Sequence, residues 1–436
     1  MKINLHPRTA IITKKVLNSI YIKSYETIMV IQSKSTHHFF TRKGFPAGSI
    51  MVINIYSWFF PLYIFFEENL NNIIGEYSTF QYVIGVHYLT ALISAFVGVF
   101  VVDRINNRDQ VLISWMLIGA AASLSLIFVP IINSHPYLYL VSFLLGVSLG
   151  LGFPSCLAYF ADYNVENIGK RAGMTFFVSG FGILIVGSAT TFLPFNVSIA
   201  VFAIWRIIGC ALFLFIRPKR KKETRSNVSY RFILEQKAFI LYFIPWIMYC
   251  TINYLEASLL KGFFGPEFSY FVPVAEFGIA GLVALVSGYL SDIIGRKLVI
   301  AFGYVMLGIG YAFLGLFPGN IISWYLYVIV DGVALGIFAL AFFIVMWGEL
   351  AAERSKEKYY LLGEMPWLVL SYLGIVVKPY IVFIPVSSAF SLAALFLFLA
   401  VLPLMYAPET LSEKKIKERE LRQYVEKARK IKKKYA

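Results

Sequence analysis

Charge is scarce in this chain, and acidic charge is scarcer still. Of its 436 residues only 14% are charged while 59% are hydrophobic, and the mean hydropathy is +0.72. Soluble domains run near half apolar and about a quarter charged, so a soluble enzyme is excluded. Cysteine is equally sparse, with three in all. Cys156, Cys210 and Cys250 fall inside apolar runs, at neither zinc spacing nor a disulfide framework, and read as small buried residues. There is no nucleotide-binding loop, no metal-ligand cluster and no nucleophile–base pair at a recognised spacing. The chain therefore reads as a non-enzyme with no cofactor, not driven by ATP. The first forty residues lack a compact apolar core followed by small residues, so no cleavable signal peptide is expected.

What the chain has instead is length of apolar run. About 20 apolar residues cross a hydrocarbon core of ~30 Å. Runs of that length fall at 46–66, 79–101, 111–132, 137–160, 172–194 and 197–216, then at 238–259, 268–290, 298–317, 321–347, 359–382 and 384–407. Backbone groups in lipid must be satisfied within each segment, which makes these runs helices. The expected fold is an all-α polytopic membrane protein with twelve transmembrane helices.

The net charge of +15 is distributed in a way that argues against nucleic acid. With both termini on one side, that side holds 36 of the 39 Lys and Arg residues; the exceptions are Arg206 and Lys378 within runs and Lys261 opposite. Lys and Arg concentrate on the cytoplasmic side of membrane proteins. Both termini are thus expected in the cytoplasm, the protein in the plasma membrane, and the basic ends drawn to anionic lipid. The chain divides into a basic N-terminal extension (1–45), a first bundle (46–216), a basic linker (217–237), a second bundle (238–407) and a basic tail (408–436). Residues 1–28 read either as a cytoplasmic extension or as sequence upstream of a start at Met29.

Between the eighth and ninth runs stands Gly288-Tyr289-Leu290-Ser291-Asp292-Ile293-Ile294-Gly295-Arg296-Lys297, and a weaker copy, Val101-Val102-Asp103-Arg104-Ile105-Asn106-Asn107-Arg108, follows the second. Asp103 and Asp292 are 189 residues apart, as are Glu67 and Glu256; Leu145-Gly146-Val147-Ser148-Leu149-Gly150 matches Asp331-Gly332-Val333-Ala334-Leu335-Gly336 at an offset of 186. Parallel repeats of this kind are expected where two six-helix halves arose by duplication. The loop segments resemble the signature G-x-L-x-D-x-x-G-R-K of the major facilitator superfamily. That resemblance implies two pseudo-symmetric six-helix bundles, a monomer, and a latch that shuts the cytoplasmic side. In the second copy Gly288 would allow close helix approach and Gly295 a tight turn. Asp292 would face a helix N-terminus, and Arg296 and Lys297 would anchor to carboxylates or lipid phosphates. Asp103, Arg104 and Arg108 would do the same in the first copy, where Asn106 and Asn107 replace the Gly-Arg pair.

The fourth run and its loop resemble the sugar and metabolite porters of that superfamily, through Gly146, Ser148, Gly150, Tyr159-Phe160-Ala161-Asp162 and Arg171-Ala172-Gly173, and so does Pro408-Glu409-Thr410. Asp162 and Arg171 join the implied latch. The porters' Gln pair in the seventh helix is missing, and only Asn253 and Tyr254 echo it. Ser142 and the Pro-free stretch from Gly180 to Gly187 depart from the drug–proton antiporters, and those glycines read as close packing between the fifth and eighth helices.

Ionisable groups deep in a bilayer are costly and usually face a cavity or a partner. Counted inward from the run ends, the deep ones are His87, Arg206, Glu276 and Asp331, with Glu67, Glu256, Glu364 and Lys378 near the ends. Asp331 is the first candidate for substrate or proton binding. Glu276 and His87 could carry protons, the latter because imidazole titrates near neutral pH; Arg206 could hold an anionic substrate or balance an acid. Glu67 and Glu256 would form an outer gate, or simply sit in water. The expected function is secondary active transport of a small organic solute by alternating access, as proton-coupled uptake. The alternatives are proton-driven efflux and a transporter-like sensor that binds solute without moving it.

Overall fold

Lipid-length apolar sequence becomes helix throughout the computed structural model, which describes residues 44–105, 107–132, 134–164, 167–218, 228–352, 354–381 and 383–411, together with 416, 417, 421 and 425. At 257, 258 and 260–274 it describes backbone alone. The extension before residue 44, Asn106, the side chain of Lys261, linker residues 219–227 and most of the tail lie outside the described residues. Among those described, twelve helices are long and apolar enough to cross a membrane. In the first half they are α1 (Phe45–Ile73), α2 (Tyr77–Ile105), α3 (Arg108–Ile132), α4 (His135–Tyr163), α5 (Ile168–Phe192) and α6 (Phe195–Ile216). The second half holds α7 (Lys237–Glu256), α8 (Ala275–Ile294), α9 (Arg296–Leu316), α10 (Ile321–Ala351), α11 (Lys356–Ile381) and α12 (Val386–Tyr406). Helical backbone is continuous from Lys237 to Ile294, spanning α7 and α8. The chain nevertheless doubles back within it. Tyr242 near its start donates to the Pro408 carbonyl at 2.7 Å, and Arg296 just past its end donates its N–H to neighbouring Glu409 at 2.9 Å.

The internal repeat is visible in packing. A side chain at Gly146 or Gly150 of α4 would collide with α2 at Thr90, Ala91 and Ser94. Gly332 and Gly336 of α10 meet α8 in the equivalent way, at Ile279 and Ala280. Small residues let backbones approach where lipid offers no hydrophobic drive for helices to associate. Between α5 and α8 the closest approaches are at Gly169, Gly173 and Gly288 near one end, with looser contact at Gly180 and Gly281; Gly182 and Gly187 face Ser57 and Pro61 of α1 instead. Of the Gly180–Gly187 stretch, Gly180 does face α8, at Phe277 and Gly281, so the expected packing role holds there and is corrected for Gly182 and Gly187.

Helix boundaries moved where charge is paired. Apolarity placed the start of the eleventh helix at 359, yet α11 starts at Lys356. Its first turn carries Lys356, Glu357 and Lys358, which are neutralised by partners from the other half rather than by water. Residue-by-residue hydropathy cannot register such pairing. α10 is 31 residues long and widens to a π-helix over Ala339–Val345, while Pro245, Pro61 and Pro366 lie inside α7, α1 and α11. Each proline removes a backbone donor and disturbs the turn before it.

Candidate functional site

Ion pairs join the halves at the end that carries both loop signatures. The Arg108 guanidinium bridges Asp162 of its own half (2.6 Å) and Glu357 of α11 (2.5 Å from Nη2, 2.9 Å from Nε). Lys356 reaches back to Asp162 at 2.7 Å, and Lys358 to Asp103 at 3.4 Å. Arg108 and Glu357 are 6% and 0% exposed, so neither could lose its partner without leaving a charge out of water. Lys358 also lies over the Tyr230 ring, in the short helix Tyr230–Glu235 leading into α7. Burial, aided by Asp103, pushes the Tyr230 phenol up to about 12. Arg104 is exposed, and among the described residues it makes no ion pair.

The second signature is arranged differently. Arg296 pairs with Asp292 and Glu349, both at 2.8 Å and both in its own half. Thr410 donates to Glu349 at 2.6 Å, and Glu409 accepts from the N–H groups of Arg296 and Thr410 at the start of α9. Pro408-Glu409-Thr410, singled out by resemblance alone, is therefore part of this cluster. Gly295 takes a φ of +102°, a conformation that favours glycine, and lets α9 begin directly after α8. Across the halves, Asp292 accepts from the Lys170 N–H at 2.9 Å, at the start of α5 where the helix dipole is positive. Lys297 holds the carbonyls of Met405 (2.6 Å) and Ala407 (3.2 Å), not a carboxylate, which caps the end of α12. Arg171 donates to Asn164 at 3.1 Å and lies over Phe45, which braces the α4–α5 loop.

At the opposite end the halves meet through hydrogen bonds from neutral groups and a cation–π contact, the Lys378 ammonium of α11 lying 6.0 Å from the centre of the Tyr77 ring of α2. Tyr77 donates to the Ile375 carbonyl at 2.8 Å, and Gln81 reaches the carbonyls of Ile375 and Val376 at 3.3 Å.

Between these ends, rings from both halves interlock. Tyr56 of α1 meets Phe153, Phe176 and Phe343 at 6.1 Å, and Trp367 of α11 meets Phe343 at 5.4 Å and Phe59 at 5.7 Å. Phe60 lies 5.4 Å from Phe277 of α8. His87 extends this layer: it is 2% exposed, stacks on Phe59 at 6.2 Å and approaches the Ser142 backbone without making a properly aligned hydrogen bond. Tyr254 faces Tyr88, Ser371 and Trp367; Asn253 beside it is half-buried.

Glu364 sits under the rings. The sequence placed it near a helix end, but the earlier start of α11 puts it eight residues in, ~12 Å along the axis. It is 2% exposed. The Trp347 indole approaches it out of hydrogen-bond alignment, and neither carboxylate oxygen has a hydrogen-bond partner among the described residues.

A second group of acids lies in the other half of the membrane depth. Asp331 is the charge nearest in effect to both Glu256 and Glu276, and Glu256 accepts from Tyr327 at 3.3 Å. One oxygen of each acid lacks a partner among the described residues, and the three do not converge as a metal-ligand set. Glu67 is half-buried in α1, in surroundings unlike those of its repeat partner Glu256. Arg206 is fully buried between Trp58 and Trp115, 4.7 and 4.4 Å from its carbon, and donates to Asn54 at 2.8 Å. Among the described residues no acid pairs with it. Cation–π attraction and an amide oxygen, invisible to any local sequence pattern, take the acid's place.

The sequence profile described as Major Facilitator Superfamily matches residues 47–280 and 271–435. Among curated proteins none matches the chain. Solved structures of like fold include the proton:xylose symporter XylE bound to 6-bromo-6-deoxy-D-glucose, at a TM-score of 0.65 and 13% identity over 85% of this chain and 96% of that one. The human organic anion transporter MFSD10 (TETRAN) matches at 0.56 and 12%, over 83% of this chain and 98% of that one.

Proposed function

This chain belongs to the major facilitator superfamily, and from that premise we propose that it carries a small organic solute across the membrane by alternating access, with protons driving uptake. The observation that carries this reading is how the halves are joined. Buried ion pairs hold one end, hydrogen bonds and a cation–π contact are seen at the other, and aromatic side chains interlock between them. Such contacts can break at one end while the other stays closed. Arg108, Asp162, Asp103 and the α11 triplet act as the cytoplasmic latch, and Arg296, Asp292 and Lys297 brace it. The Asp331–Glu276–Glu256 group takes up and releases the proton, an assignment supported by the burial of Asp331 and Glu256, an unpartnered oxygen on each acid and a like-folded proton symporter. The positive-inside pattern supports cytoplasmic termini; a plasma-membrane monomer with bundles at 46–216 and 238–407 is what the apolar runs and the family lead us to propose.

The test begins with purified protein and a thermal-shift panel of sugars, organic acids, amino acids and aromatic compounds. A ligand at a hundred times its Kd should add about 2.7 kcal/mol of stability. A stabilising compound is then loaded into proteoliposomes under a pH gradient. Accumulation driven by the gradient is expected, with Asp331→Asn abolishing accumulation yet keeping exchange. Uptake indifferent to the gradient overturns proton coupling, and binding without any flux overturns transport.

A further inference from the structure

Glu364 is a charge-bearing group with nothing to match it. It is 2% exposed, both its oxygens lack a hydrogen-bond partner among the described residues, and no Lys or Arg there pairs with it. A carboxylate removed from water costs several kcal/mol unless something neutralises it. Its surroundings are aromatic, with the Trp347 indole N–H approaching out of alignment, and they are not indifferent to charge. Trp367 lies one turn further along the same helix face, and Tyr56 faces Glu364 from the other half with its own hydroxyl unpartnered. The face of an aromatic ring attracts cations, Trp most strongly. A sugar would need several convergent hydrogen-bonding groups, whereas this position offers rings, a single acid and two ring donors unpartnered among the described residues, the Tyr56 hydroxyl and the Trp347 N–H.

Both halves carry helix-disturbing features along these ring-bearing segments. Pro366 follows Glu364 by two residues, the π-helix of α10 carries Phe343, and Pro61 follows Phe60 in α1. Short π segments and proline breaks recur where helices bend or build sites. They allow these rings to part when the halves rock.

We propose that Glu364 and the rings around it form the recognition site for a lipophilic organic cation, an amine or quaternary centre carried on an aromatic or apolar body. This rests on the transporter reading above and names its substrate class. Opening the halves separates Tyr56 and Phe343 and exposes Trp367. The bound cation then replaces ring–ring contacts with cation–π contacts and supplies the charge that Glu364 lacks.

The probes are tetraphenylphosphonium and tetraphenylborate, of similar shape and opposite charge. Saturable binding is measured to the full chain in lipid nanodiscs, against empty nanodiscs. Tetraphenylphosphonium should bind and tetraphenylborate should not. Glu364→Gln should weaken cation binding at least tenfold with an unchanged size-exclusion profile, and Glu364→Asp should restore part of it. Trp367→Ala should weaken it several-fold. Equal binding of both ions, or an unaltered affinity in Glu364→Gln, overturns the proposal. Flux assays separate the two readings. Cation binding that depends on Glu364 but never leads to flux removes the transporter reading and leaves the site. Flux of a neutral solute that ignores Glu364 keeps the transporter and removes the site.

Discussion

At the α2–α3 loop the charges reach across to the other half; at the α8–α9 loop they stay mostly within their own. Arg108 and Arg296 hold nearly equivalent places in the repeat, and each pairs with an acid at the end of the fourth helix of its half, Asp162 or Glu349. The difference lies in what the opposite half presents. α11 brings Lys356, Glu357 and Lys358 to the first loop, while α5, at the same place in its repeat, brings the Lys170 N–H and the backbone of Gly169 to the second. So the copy that departs further from the family pattern carries the stronger electrostatic joint. Matching a consensus reports on a loop's own fold, and its partner decides whether it becomes a latch.

The largest expected effect is therefore at Arg108. Arg108→Gln removes the Arg108 charge from buried Glu357, a loss of about 3–5 kcal/mol for a buried pair, and should lengthen the spin-label distance between α2 and α11. Arg296→Gln should cost about 1.5–3 kcal/mol in charge-assisted hydrogen bonds, read as a lower Tm, while leaving that distance near the native one. A larger opening in the Arg296 variant would reverse the comparison. Glu409→Ala removes the acceptor at the start of α9 and should cost about 1 kcal/mol, as other helix caps do, again visible in thermal unfolding. Arg231→Ala, which breaks an exposed pair with Glu235 at 2.7 Å, should change stability by no more than about 0.5 kcal/mol. That variant sets the floor against which the other three are judged.

Much of the architecture was legible beforehand because it depends on local properties. Twelve apolar runs became twelve spans, and the repeat offset anticipated how α4 on α2 mirrors α10 on α8. The site was legible only in part. Asp331 and Glu276 stood out as isolated acids in apolar runs, and the structure sets them close to Glu256. Glu364 escaped because three charged residues in the first turn of α11 made the helix look shorter, so a deep acid was counted as a shallow one. Arg206 suggested a partner acid, yet Trp58, Trp115 and Asn54, from two other helices, surround it instead.

By itself the sequence determined that the chain is a helical membrane protein built from two related halves, because a bilayer sets helix length and forbids unpaired backbone. Only the tertiary structure decided which charges meet. Arg108 finds Glu357, and the Tyr56 ring meets Phe343, across some 250 to 290 residues of chain. Contacts over such separations depend on how helices pack, and no local pattern of residues encodes them.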